Sequence, residues 1–203
     1  MTVDEIDSTT KRLRQQLHGP IRSELVQMHF RRRIWQGVND LVKEVPEASQ
    51  ASLFWSFHHG NYGATQSMAI RRQLDRGKGT VSLHRLVLGI STAKGLDYKA
   101  EAKQDLKQLK RETERFEKWA HEHVAHTATD PISTFAPRYE DIHEMIDTLT
   151  RLFQKYEALL VDGTTAFDGL VLDTATWQDI FRVPWAGPRE RELRGRDDGP
   201  AEL

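Results

Sequence analysis

The chain has 203 residues, 38% of them hydrophobic and 29% charged, with a formal net charge of -1 and an isoelectric point near 6.8. This mixture is typical of a helix-rich protein with one ample core, and the near-neutral charge excludes a globally basic nucleic-acid binder. There is no cysteine, which excludes disulfides, thiolate zinc sites and cysteine nucleophiles. The polar N-terminal segment MTVDEIDSTTKRL and the lack of a long apolar run predict a cytoplasmic protein with no signal peptide and no membrane span.

The first three predicted helices follow apolar residues that recur at steps of three and four. Between Pro20 and Pro46 one stripe carries Ile21, Leu25, Met28, Trp35, Val38 and Val42. The next segment runs from about Ala48 to Leu74, and Gly60 and Gly63 within it predict a kink or a close helix contact. After the glycine-containing loop 75–79, Thr80 or Ser82 is expected to cap a short helix that reaches Ile90.

Two longer helices complete the predicted bundle. The fourth runs from about Tyr98 to about His126, and the fifth carries the cleanest amphipathic pattern, from Ile142 to Leu160. A short amphipathic piece around Trp177 follows, and the residues from Gly187 onward are almost entirely polar. We therefore predict one all-α domain over residues 1–186, an antiparallel bundle of about five main helices, followed by a disordered tail over residues 187–203.

Three histidines lie close together at the end of the fourth predicted helix, in the segment WAHEHVAH that ends at His126. At about 100° per residue, His123 falls within the apolar stripe and His121 on the opposite face. Glu122 and His126 are four residues apart and can meet, as can His123 and His126. This segment is therefore the first candidate for a functional site. The structural alternatives are a core-edge imidazole at His123 and a helix-terminal imidazole at His126.

Other polar groups offer weaker alternatives. A metal-dependent hydrolase could use Glu122, His126 and His143, but no ligand spacing requires it, and neither a metal nor a cofactor is predicted. The segment His58-His59-Gly60-Asn61-Tyr62 is interpreted as a half-exposed helix face with an irregularity. The basic clusters 31–33 and 71–72 are typical of solvated faces, and they could contact phosphate if the fold brought them together.

Several segments together resemble a known family. They are QSMAIRR from Gln66, SLHRL from Ser82, WAHEHVAH ending at His126, and FQKY ending at Tyr156. Over roughly residues 20–185 they resemble the HEPN-like helical proteins grouped with the AbiU-type abortive-infection family. The resemblance implies a helical bundle that forms a homodimer in a toxin–antitoxin or phage-defence system. It also implies an antitoxin protein as partner and, in active members, metal-independent cleavage of RNA.

That activity in the family depends on an arginine separated from a histidine by four to six residues. His126 matches the histidine, but Trp119, Ala120 and His121 stand where the arginine should be. An arginine would stabilise the developing charge on phosphate while the histidine moves a proton. The resemblance thus predicts a degenerate or inactive RNase. If the protein is active, His126 would be the acid–base group, Glu122 or His123 would orient it, and Arg71 or Arg85 from a neighbouring helix could supply the missing charge. The alternative is a non-catalytic helical module for dimerisation or binding.

Overall fold

Every regular element in the described part of the chain is helical. We describe a computed structural model, which covers residues 3–44, 52–93, 97–125, 136–161 and 163–167. Within these ranges no strand occurs, which confirms the all-α prediction. The α-helices are α1 (Val3–Gln16), α2 (Arg22–Glu44), α3 (Ser52–Leu74), α4 (Leu83–Thr92), α5 (Lys99–Trp119) and α6 (Tyr139–Val161).

Helix α6 lies at the centre of the bundle and contacts α1, α2, α3 and α4. Its apolar positions recur every three or four residues, so one broad face is removed from water. The buried residues of this helix are Ile142, Met145, Ile146, Leu149, Thr150, Phe153, Tyr156, Glu157 and Leu160. Helices α4 and α5 form a hairpin. Ser82 caps the start of α4, because its side chain accepts a hydrogen bond from the backbone N–H of Arg85, as predicted.

The N-terminal helix α1 was not predicted, because its sequence is polar and offers little apolar surface. Its end buries Leu13, and the buried Leu17 follows in the connecting segment, Leu17–Ile21, that leads into α2. Gly19 has non-helical angles (φ -89°, ψ -108°) and Pro20 follows it, so the chain bends between α1 and α2. At Gly89 of α4 a Cβ atom would lie 3.2 Å from Leu13 Cδ2, so the missing side chain lets α1 and α4 approach closely.

A π-helical segment, Ala120–Ala125, continues α5 and packs against α3. A π-helix bonds each N–H to the fifth residue back, so it turns by less than 100° per residue. The helical phase that places His123 in the apolar stripe therefore fails after Trp119, whereas His121 is exposed, in agreement with its predicted solvated side. The predicted tail 187–203, the segment around Trp177 and His126 itself lie outside the described residues. In the part of the chain that the structure describes, we find no helix with the length and apolar character that crossing a bilayer requires.

The buried carboxylate of Glu157 holds the segment after α6 against the bundle. It accepts hydrogen bonds from the backbone N–H of Thr165 and from the Thr165 hydroxyl, the latter at 2.7 Å. Gln154 donates to the Thr165 carbonyl oxygen at 2.9 Å, and Phe167 packs on Phe153 with ring centroids 5.7 Å apart. A buried acceptor that loses its hydrogen-bond donor lowers the free energy of unfolding.

We expect Glu157→Gln to lower the free energy of unfolding by about 1–3 kcal/mol, since a neutral amide replaces the charged acceptor of both Thr165 hydrogen bonds and its NH₂ group has a partner only if the Thr165 hydroxyl turns to accept. Urea unfolding followed by circular dichroism measures this change. Glu144→Gln, at an exposed position of the same helix, is the matched control and should stay within about 0.5 kcal/mol of wild type. Equal effects of the two substitutions would contradict the role assigned to Glu157.

Candidate functional site

The structure places His123 on the surface rather than in the apolar stripe. Its side chain is exposed and its ring stacks on Trp119, with centroids 5.9 Å apart and planes at 14°. Its Nδ1 lies 3.2 Å from the Trp119 carbonyl oxygen, which can only accept, so Nδ1 carries the proton in this contact. The prediction of a core-edge imidazole at His123 is therefore wrong, because π-helical winding rotates this residue away from the stripe.

The remaining members of the predicted histidine site are only partly described. Glu122 is half-buried and His121 is exposed, while His126 lies outside the described residues. The predicted acid–base role of His126, with Glu122 or His123 orienting it, stays a prediction.

A denser constellation lies where α2, α3 and α6 meet. It joins one half-buried histidine to aromatic, cationic and anionic side chains of all three helices, and we call it the His143 cluster. Its members are Arg32 and Trp35 of α2, His59 and Tyr62 of α3, and Tyr139, His143 and Asp147 of α6.

The indole ring of Trp35 organises the His143 cluster. It stacks on Tyr62 (centroids 4.9 Å apart, planes at 18°) and meets the His143 ring edge to face at 5.3 Å. Its Nε1 donates to Nδ1 of His59 at 3.1 Å. The Tyr62 hydroxyl lies 2.8 Å from Nε2 of His143. These contacts fix the His143 ring relative to α3, which an isolated histidine on α6 would not achieve.

The electrostatics of the cluster favour a neutral imidazole at His143. Burial, and secondarily the Arg32 guanidinium, lower the pKa of His143 below 6.5, against weaker opposing effects of Asp147 and Glu140. Arg32 is itself tied to Asp147 by a 2.6 Å hydrogen-bonded ion pair. Burial raises the pKa of Tyr62 to about 12, so it remains a phenol beside His143. At neutral pH His143 is therefore able to accept a proton.

The charge pair that flanks His143 should tune its pKa in opposite directions. We expect Arg32→Gln to raise the pKa of His143, because it removes a cation and frees Asp147. Asp147→Asn should lower it further, because Arg32 then acts unopposed. Titration of the His143 ring protons by NMR measures both values without any substrate. The same direction of shift in the two variants would contradict the assigned electrostatics.

Arg138 and His143 have the arginine–histidine spacing that the sequence analysis sought and did not find before His126. Four residues separate them, and Arg138 immediately precedes the first turn of α6. The Arg138 backbone N–H donates to Asp141 Oδ2 at 2.7 Å, in the manner of a capping box. Its guanidinium is mostly exposed, with Nε 3.6 Å from the same carboxylate. This spacing can be read from the sequence, but the histidine-rich segment that ends at His126 concentrates more titratable side chains and so favours the other prediction.

No three His, Asp or Glu side chains converge as a metal-binding group within the described ranges. The proposed metal ligands Glu122, His126 and His143 include one residue that lies outside those ranges. His143 itself is engaged with Tyr62 and Trp35.

Comparison with known proteins identifies one family. The family model HEPN_AbiU2, described as AbiU2, matches residues 10–180, which is most of the chain. The match includes all the residues of the His143 cluster and Arg138. No curated protein and no solved structure matches this chain.

Proposed function

The chain belongs to the HEPN family AbiU2, and from this premise we propose that it is a metal-independent endoribonuclease of an abortive-infection system. His143 is the acid–base group and Arg138 binds the scissile phosphate. The observation that carries the proposal is the four-residue spacing of Arg138 and His143 at the start of α6, with His143 held by Tyr62 at 2.8 Å. The proposal therefore differs from the sequence prediction, in which the site lacks its arginine.

Three physical features support the proposal. The lowered pKa keeps His143 neutral near pH 7, as a general base requires. The ion pair of Arg138 with Asp141 is exposed, and such pairs contribute little stability, so the guanidinium is available to a phosphate. The first turn of the 23-residue helix α6 adds the positive end of its dipole near the same place.

The reaction uses a 2′-hydroxyl of the RNA as nucleophile. Because Nε2 of His143 is bonded to the Tyr62 hydroxyl, the neutral ring acts with Nε2–H donating to the Tyr62 oxygen, and Nδ1 accepts the 2′-hydroxyl proton as the 2′-oxygen bonds to phosphorus. The bond between phosphorus and the 5′-oxygen breaks, and the 5′-oxygen leaves with a proton supplied by water. Arg138 offsets the charge that accumulates on the non-bridging oxygens. The products are a 2′,3′-cyclic phosphate and a 5′-hydroxyl end, with no change in oxidation state.

Inducible expression in a bacterial host tests the proposal in cells. Wild-type protein should arrest growth and degrade cellular RNA, and His143→Gln should do neither at the same protein level. Because glutamine can still bond to Tyr62, the variant is expected to fold. Intact RNA with soluble wild-type protein would overturn the proposal.

Binding of a protein partner is the second candidate function. Apolar side chains on the first turns of α3 favour it. Leu53 is 84% exposed and Phe57 is 68% exposed, which is unusual for large apolar groups that serve only the fold. A second copy of this chain, or an antitoxin protein in a toxin–antitoxin system, would cover them. Light scattering across a range of concentrations distinguishes a monomer from a homodimer.

A further inference from the structure

The His143 cluster contains aromatic side chains that the proposed proton transfer does not use. Tyr139 lies at its outer edge, partly exposed, with its ring centroid 4.8 Å from Trp35 and 5.6 Å from His59. One side of the ring faces α3 at Gly63, where an added Cβ would lie 3.7 Å from Tyr139 Cε1. This is an ordinary van der Waals distance, so the ring packs directly against this turn of α3.

From this geometry we infer that Tyr139 and His59 form a stacking subsite for a nucleobase of single-stranded RNA. The inference rests on the proposed function, because it places the base of a bound nucleotide beside the phosphate that Arg138 and His143 engage. Tyr139 lies between these two residues in sequence, directly after Arg138. His59 and His143 contact the same indole ring of Trp35, at 5.7 Å and 5.3 Å.

The chemistry of the two rings suits a base rather than an apolar ligand. Indole Nε1 is only a donor, so the 3.1 Å bond from Trp35 makes Nδ1 of His59 the acceptor. The neutral His59 ring therefore carries its proton on Nε2, the nitrogen that can donate to a base carbonyl. Tyr139 supplies a π-face, and the preceding residue Arg138 supplies a mostly exposed cation. Stacking platforms beside cations are how proteins hold single strands.

A base can stack on these side chains only when it is splayed out of the RNA helix, and only an unpaired base can do so. The subsite thus specifies single-stranded RNA or a loop, and it disfavours a continuous duplex.

The test measures binding separately from cleavage. The probe is a fluorescein-labelled 2′-O-methyl oligouridylate about eight nucleotides long, which lacks the attacking hydroxyl. An abasic oligomer with the same number of phosphates is the matched ligand control. Fluorescence anisotropy gives the dissociation constants for wild type, Tyr139→Leu, Tyr139→Phe and Phe30→Leu, the last at an exposed aromatic residue of α2. Leucine keeps apolar bulk against Gly63, and phenylalanine keeps the ring.

We expect Tyr139→Leu to bind the oligouridylate about five- to hundredfold more weakly, and the abasic oligomer as wild type does. Tyr139→Phe and Phe30→Leu should retain wild-type affinity. Three results would overturn the inference. They are wild-type affinity of Tyr139→Leu for the oligouridylate, an equal loss of affinity for both oligomers, and no binding by the wild-type protein. Cleavage that depends on His143 but not on Tyr139 would overturn the subsite alone. Tyr139-dependent binding without cleavage would overturn only the nuclease proposal.

Discussion

His143→Gln is expected to reduce RNA cleavage by about two to four orders of magnitude, the usual contribution of a general acid–base group. The imidazole is the group that accepts the 2′-hydroxyl proton, and a glutamine amide cannot do so. Substrate binding should change little, because Tyr62 keeps a hydrogen-bonding partner where Nε2 now stands at 2.8 Å. Single-turnover cleavage of a labelled RNA gives the rate.

His123→Gln and His126→Gln are the controls, since these residues belong to the histidine-rich segment first considered as the site. Both should cleave RNA at close to the wild-type rate. A severe loss in His126→Gln alongside normal activity in His143→Gln would return the acid–base role to that segment. Thermal unfolding of each variant separates chemical effects from loss of folded protein.

Arg138→Ala should reduce kcat/KM by about 10²–10³, because it removes a cation from the charge that develops on phosphate. Arg138→Lys should fall between alanine and wild type, since lysine keeps the charge but not the planar, bidentate geometry. Stability should change little, because the side chain is 77% exposed.

Arg151→Ala is the matched control for the arginine, since Arg151 is an exposed cation further along the same helix. Its cleavage rate should equal that of wild type. If Arg138→Ala retained full activity while Arg32→Ala lost it, the phosphate would be bound by α2 rather than by the start of α6.

The helices were largely predictable because their apolar residues repeat at helical spacing. The pattern from Ile142 to Leu160 predicts α6, and Ser82 correctly marks the start of α4. Helix α1 was missed because little beyond Leu13 and Leu17 marks its buried face. The exposure of His123 was missed because a local π-helical turn changes the phase without an obvious sequence signal.

The candidate site was less predictable, because it is assembled from three helices. Tyr62 and His143 are 81 residues apart, and Arg32 and Asp147 are 115 apart. The spacing of residues within one helix carries no information about contacts between residues of different helices. The pair Arg138 and His143 is the exception, since its spacing can be read from the sequence alone.

The chemistry of the RNA ends tests the account most directly. Purified wild-type protein without a histidine tag is incubated with a single-stranded RNA in the presence of EDTA, and the fragment ends are identified by mass spectrometry. The account predicts fragments with 2′,3′-cyclic phosphate and 5′-hydroxyl ends, which disappear with His143→Gln. Uncleaved RNA, or the same fragments from His143→Gln at the wild-type rate, would contradict it.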